Sequence, residues 1–119
     1  MMNSQKTAET VARIAQSAAQ NLLKVQARFT EAFAAGELVM PSTMQDLIEA
    51  QKATHVTAGL ERRWSRGGMQ AIEDWMVDAA DQLIEGSYGG TSSALQNEAE
   101  RAERKALQAA YKALSRCRD

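Results

Sequence analysis

Apolar residues spaced three and four positions apart constrain this chain more than any other feature. Val11, Ala15, Ala18, Leu22, Val25, Phe29 and Phe33 fall on one narrow face when successive residues are wound at helical pitch. A strand would divide the same residues between two faces, so the spacing demands an amphipathic helix. Lys6, Arg13, Lys24 and Glu31 project roughly opposite the stripe, and Gly36 follows it where a left-handed residue ends a helix. The spacing predicts a first helix over 5–35. Pro41 is the sole proline, and the abundance of Ala, Gln, Glu, Lys, Leu, Met and Arg favours helix throughout.

A second helix is expected over 42–66, with Ser42 and Gln45 at capping-box spacing. Its apolar side changes along its length. Met44, Leu47 and Ile48 lie on one side, with Val56, Leu60 and Trp64 about half a turn round. Thr54, Thr57 and Gly59 have low helix propensity, so the segment either breaks near 54–59 or runs straight and packs on both sides. A two-sided helix belongs in the middle of a bundle or at a subunit interface, which is the sequence's main indication of self-association. Gly67-Gly68 should end it or sharply interrupt it. A third helix over 68–85 carries Met69, Ile72, Met76, Ala79, Ala80 and Leu83 on one face. After a linker from Gly86 to about Ser92, a fourth over 92–117 has Ser93 and Gln96 at capping spacing. Its seam is Leu95, Ala99, Ala102, Ala106, Ala109, Ala113 and Cys117, small enough for close approach to the first helix.

The expected fold is therefore all-α, a single domain over 1–119 built as a self-associating bundle of about four helices. A length of 119 residues suits one core. With 14 basic and 15 acidic side chains the net charge is −1, so no global field favours nucleic acid or anionic membrane. No stretch has the length of apolar sequence that a membrane span needs, and the first residues lack the apolar run of a secretory signal. A single cysteine, Cys117, offers no internal disulfide framework. The expected location is the cytoplasm.

The chemistry-bearing residues exclude more than they offer. His55 and Cys117 are each the only one of their type, so zinc-finger spacing, His-Glu-x-x-His and a Cys–His nucleophile pair are all absent. Gly67-Gly68 and Gly89-Gly90 match neither the dinucleotide fingerprint nor a phosphate-binding loop. No catalytic, cofactor-binding or metal-ligating residue is assigned, no cofactor is expected, and the chain is read as a non-enzyme. His55 continues the Met44, Leu47, Ile48 side and is expected as a partly buried structural residue.

Three surfaces are candidates for binding. Met44, Leu47, Ile48, His55, Val56, Leu60, Trp64 and Trp75 form a candidate interface, with Met40, Met69 and Met76 as adaptable neighbours. Trp75 sits at the edge of its stripe and is the preferred contact. Arg62, Arg63 and Arg66 surround Trp64 near a helix end, where cations either contact an anion or simply complement the helix dipole. Asp74, Asp78, Asp81 and Glu85 form an acidic row opposite the apolar face, either solvated surface or a partner-facing strip.

The expected function is a helical protein-binding module, an adaptor, inhibitor or regulatory subunit acting as a homodimer on an unidentified protein. A nucleic-acid-binding regulator using Arg62, Arg63 and Arg66 is the first alternative, and an enzyme with carboxylates buried near His55 or Tyr88 is another. The turn Trp64-Ser65-Arg66-Gly67 is one residue longer than the Trp-x-Gly turn of small secreted helical-hairpin proteins, and an extra helix precedes it. The Ala- and Gln-rich helices over 5–35 and 93–117 are similar in composition, without a shared motif, to those of granule-coating phasins. That likeness implies a lipid or polymer-surface coat as a further alternative.

Overall fold

The computed structural model describes residues 3–37, 41–85 and 94–118, and every regular element in it is helical: α1 (Ser4–Ala34), α2 (Pro41–Glu85) and α3 (Ala94–Ser115). The linker from Gly86 to Ser92, Tyr88, Met40 and the Ser93 position lie outside the described residues, as do the side chains of Glu85, Leu95 and Gln96.

Both ends of α1 are closed by local hydrogen bonds. Asn3 is the N-cap, its side chain accepting from the Lys6 amide at 3.0 Å, and the Thr7 hydroxyl donates to the Asn3 carbonyl at 2.8 Å. The Asn3 amide itself donates to the Cys117 carbonyl at 3.0 Å, tying the start of α1 to the end of α3. At the other end Gly36 is left-handed with φ 71°. The Gly36 amide donates to Phe33 and the Glu37 amide to Ala32, the paired bonds of a Schellman motif, so the expected glycine terminator forms.

α2 corrects the expected start of the second helix and decides between the alternatives left open farther along it. It begins at Pro41, whose missing amide suits a first helical position, so Ser42 lies within the first turn and is not the cap. Through 54–59 it runs unbroken, the second of the two alternatives, and the Thr54 and Thr57 hydroxyls donate to the Ala50 and Ala53 carbonyls, both at 2.9 Å. Thr54 also reaches the Ala18 carbonyl of α1 at 3.3 Å, so a weak helix former becomes an interhelix link. The two helices expected on either side of Gly67-Gly68 are joined by a kink without a connecting loop and are described together as α2, so the described residues count as three helices. The interruption expected at Gly67-Gly68 is a kink at Gly68, whose φ 57° and ψ −138° are the non-helical backbone angles within α2.

That one residue folds α2 back on itself. A straight helix of 45 residues would span about 68 Å, whereas the longest dimension of the molecule is 52 Å. His55 and Gln82 line the same cleft although 27 positions separate them, as a folded rod requires. We call residues 41–67 the first arm of α2 and residues 69–85 the second. Side chains of both arms, Val56 and Leu60 from the first and Ile72, Trp75, Met76 and Ala79 from the second, share one core cluster with Val11 of α1 and Ala110 and Leu114 of α3.

α2 is the middle helix, packed against both α1 and α3, while α1 and α3 touch only sparingly. The expected close pairing of the first and last helices is therefore not what the alanine seam provides. Ala18, Ala53, Ala106, Ala109 and Ala110 instead line a shallow groove of about 330 Å³ between them. The core is also graded along the bundle. Large buried side chains gather toward the Gly68 end, while Val25, Ala50 and Ala102 are the buried residues farther along. Near the α1–α2 connection Met44, Leu47 and Ile48 are half-buried, and Phe33 is 73% exposed. No helix among the described residues is long and apolar enough to cross a membrane.

Candidate functional site

The residues expected to form one interface separate into different environments. Leu60 is fully buried, and Val56 and Trp75 are each only 7% exposed, all three within the core cluster. Most of their area is committed to that core, and Val56 and Trp75 also border the cleft described next. Trp64 is half-buried and packs against the same cluster. Met44, Leu47 and Ile48 remain half-buried at the far end of the first arm. His55, expected as a partly buried structural residue, is exposed.

Folding α2 back converts the arginine cluster into one wall of a cleft. Positions 55, 59, 62 and 66 follow helical spacing on the first arm, so His55, Gly59, Arg62 and Arg66 share a face with Arg63 at its edge. Across from them stand Trp75 and Gln82 of the second arm and Glu103 and Leu107 of α3, enclosing about 570 Å³ together with Val56. Gly59 shapes the wall. A Cβ there would stand 3.8 Å from Arg62 Nη2, so the guanidinium folds back over the glycine and lies along the cleft.

The electrostatics of this cleft are one-sided: three guanidinium groups face one carboxylate, Glu103. Among the described residues the ion pairs are Arg101–Glu98 at 3.4 Å and Lys105–Glu49 at 3.2 Å, and neither involves Arg62, Arg63 or Arg66. Arginines held near one another without carboxylate partners raise the local potential and leave planar donor forks for an anionic ligand. Val56, Trp75 and Leu107 add apolar surface to the same cleft. The sequence placed the three arginines, but Gln82, Glu103 and Leu107 could not be assigned to them because that juxtaposition depends on the fold at Gly68.

The acidic row occupies the outer side of the second arm. Asp74, Asp78 and Asp81 are exposed, with Gln70 donating to Asp74 Oδ1 at 2.9 Å. Val77 and Ile84 emerge on the same side at 63% and 79% exposure. Spacings of three and four residues interleave these aliphatics with the aspartates, producing a mixed acidic and aliphatic ridge.

Elsewhere, the Cys117 thiol is buried and donates to Thr10 Oγ1 at 3.3 Å, a packing role at the junction of the two termini. Among the described residues no three His, Cys, Asp or Glu side chains converge as metal ligands. Comparison with known proteins yields no matching family model, no similar curated protein and no similar solved structure.

Proposed function

We propose that this chain is a non-enzymatic helical binding module of the cytoplasm. It acts as a homodimer, and its arginine cleft receives an acidic face of a protein. The observation that carries this reading is the set of Arg62, Arg63 and Arg66 around a cleft with an apolar component, none of them ion-paired among the described residues. Such a site rewards carboxylates presented on a partly apolar scaffold, as on a helix, through charge-assisted hydrogen bonds and burial. The apolar part of the cleft favours an acidic protein segment, which offers apolar side chains beside its carboxylates, over a nucleic-acid backbone, whose phosphates would engage the charge alone.

The test is a titration with a short helical peptide rich in Asp and Glu, read by Trp75 fluorescence in a Trp64→Phe background. Saturable binding that weakens with salt and is abolished by Arg62→Glu/Arg66→Glu is the expected outcome. Tighter binding to DNA or RNA of equal charge, with a steep salt dependence lost in the same double variant, would replace this reading with the nucleic-acid regulator.

A further inference from the structure

The same chain carries both an unpaired basic cleft and a surface of matching chemistry. We infer that the occupant of the arginine cleft is the acidic ridge of a second copy of this chain. In this arrangement Asp78 and Asp81 of each protomer meet Arg62 and Arg66 of the other. The inference rests on the binding reading above and names its partner.

Three observations converge on a second copy. Charge is complementary, since the cleft sets three arginines against one glutamate while the ridge presents Asp74, Asp78 and Asp81. Apolar character is complementary too: Val77 and Ile84 stand exposed among the ridge carboxylates, and the cleft includes Val56, Trp75 and Leu107. Position completes the match, because the second arm of α2 supplies the ridge on its outside and Trp75 and Gln82 to the cleft. A two-fold axis running beside this arm would bring each ridge to the other protomer's cleft, making both contacts at once. A closed pair of this kind satisfies the self-complementarity that an isologous dimer requires. It also covers two large exposed aliphatic side chains per protomer that the single chain leaves in water.

The experiment uses the full chain and two double variants. Arg62→Glu/Arg66→Glu makes cleft and ridge both acidic, whereas Asp78→Lys/Asp81→Lys makes both basic and leaves the Gln70–Asp74 hydrogen bond in place. Sedimentation equilibrium of the unmodified chain is expected to give a dimer that dissociates as sodium chloride rises. Each variant alone is expected to self-associate at least about tenfold more weakly. Mixed in equal amounts, the two variants should recover dimer, because both opposite-charge contacts reform between unlike chains. Circular dichroism of each variant confirms that it is folded before mixing.

An equimolar mixture that stays monomeric while both variants are folded overturns the inference. Dimers that persist in both isolated variants overturn it as well, since another face would then hold the protomers together. If the unmodified chain remains monomeric yet binds the acidic peptide, the cleft serves a different protein: this inference and the homodimer fall, and the binding reading of the cleft stands. If it neither dimerises nor binds the peptide, the binding reading falls with it.

Discussion

Individual side chains in this molecule differ sharply in what they hold together, and apolar character alone does not rank them. Leu60 and Trp75 belong to one buried cluster, Trp75 at its border with the cleft, whereas Phe33, Val77 and Ile84 are apolar and largely in water. Leu60→Ala is expected to destabilise the fold by about 2–5 kcal/mol, the range for emptying a well-packed leucine site. Urea denaturation measures this, and a loss below about 0.5 kcal/mol, typical of surface changes, would contradict the packing described. Lys24→Ala is the matched control. Its side chain is exposed and without an ion pair among the described residues, so the midpoint should barely move.

At the level of the element, α2 depends on one glycine for its course. Gly68 holds φ 57° and ψ −138°, a conformation that residues with a Cβ rarely adopt, and beside it a Cβ on Gly67 would fall 2.8 Å from Ala71 Cβ. Gly68→Ala is expected to lose about 1–3 kcal/mol through backbone strain, measurable by thermal melting. Gly67→Ala/Gly68→Ala goes further, because relief of both strains lies in straightening the rod. The two arms would then separate and expose Ile72, Trp75 and Met76, surfaces that another chain can cover by exchanging arms. Size exclusion with light scattering should show an arm-exchanged dimer that resists salt, unlike the salt-sensitive dimer inferred above. A monomer of unchanged radius would show that the turn does not need glycine.

The whole molecule is elongated. Its radius of gyration is 16.0 Å, against about 13.5 Å for a compact domain of this length, and the extents are 52 × 32 × 22 Å. An elongated bundle has more surface for its volume, and here the large buried side chains gather toward the Gly68 end. Stability should be graded in the same direction. Amide exchange is expected to be slowest around Leu60, Ile72 and Leu114 and faster over 26–34 and 42–48, where Phe33 is exposed and Met44, Leu47 and Ile48 are only half-buried. Equal protection at both ends would show that an additional contact supports the far end.

Helical periodicity and composition were sufficient for the all-helical class, the extent of α1 within one residue at each end, its glycine terminator and the discontinuity at Gly67-Gly68. Each of these depends on local geometry, on which residues share a face and which can adopt a left-handed backbone. Periodicity could not decide whether the helix breaks at its threonines, because Thr54 also donates to the Ala18 carbonyl of α1, a contact that depends on packing. Nor could it show that Trp75 is at once in the core and at the border of a cleft, since the surroundings of a stripe's edge depend on what lies beside it. The arginine cleft was half legible: Arg62, Arg63 and Arg66 stand together in the sequence, while Gln82, Glu103 and Leu107 join them only through the fold. The sequence alone determined the helices and their apolar faces, because those follow from bonds made within a few residues. Tertiary structure decided which faces meet, because the reversal at Gly68 brings together residues that no local spacing relates.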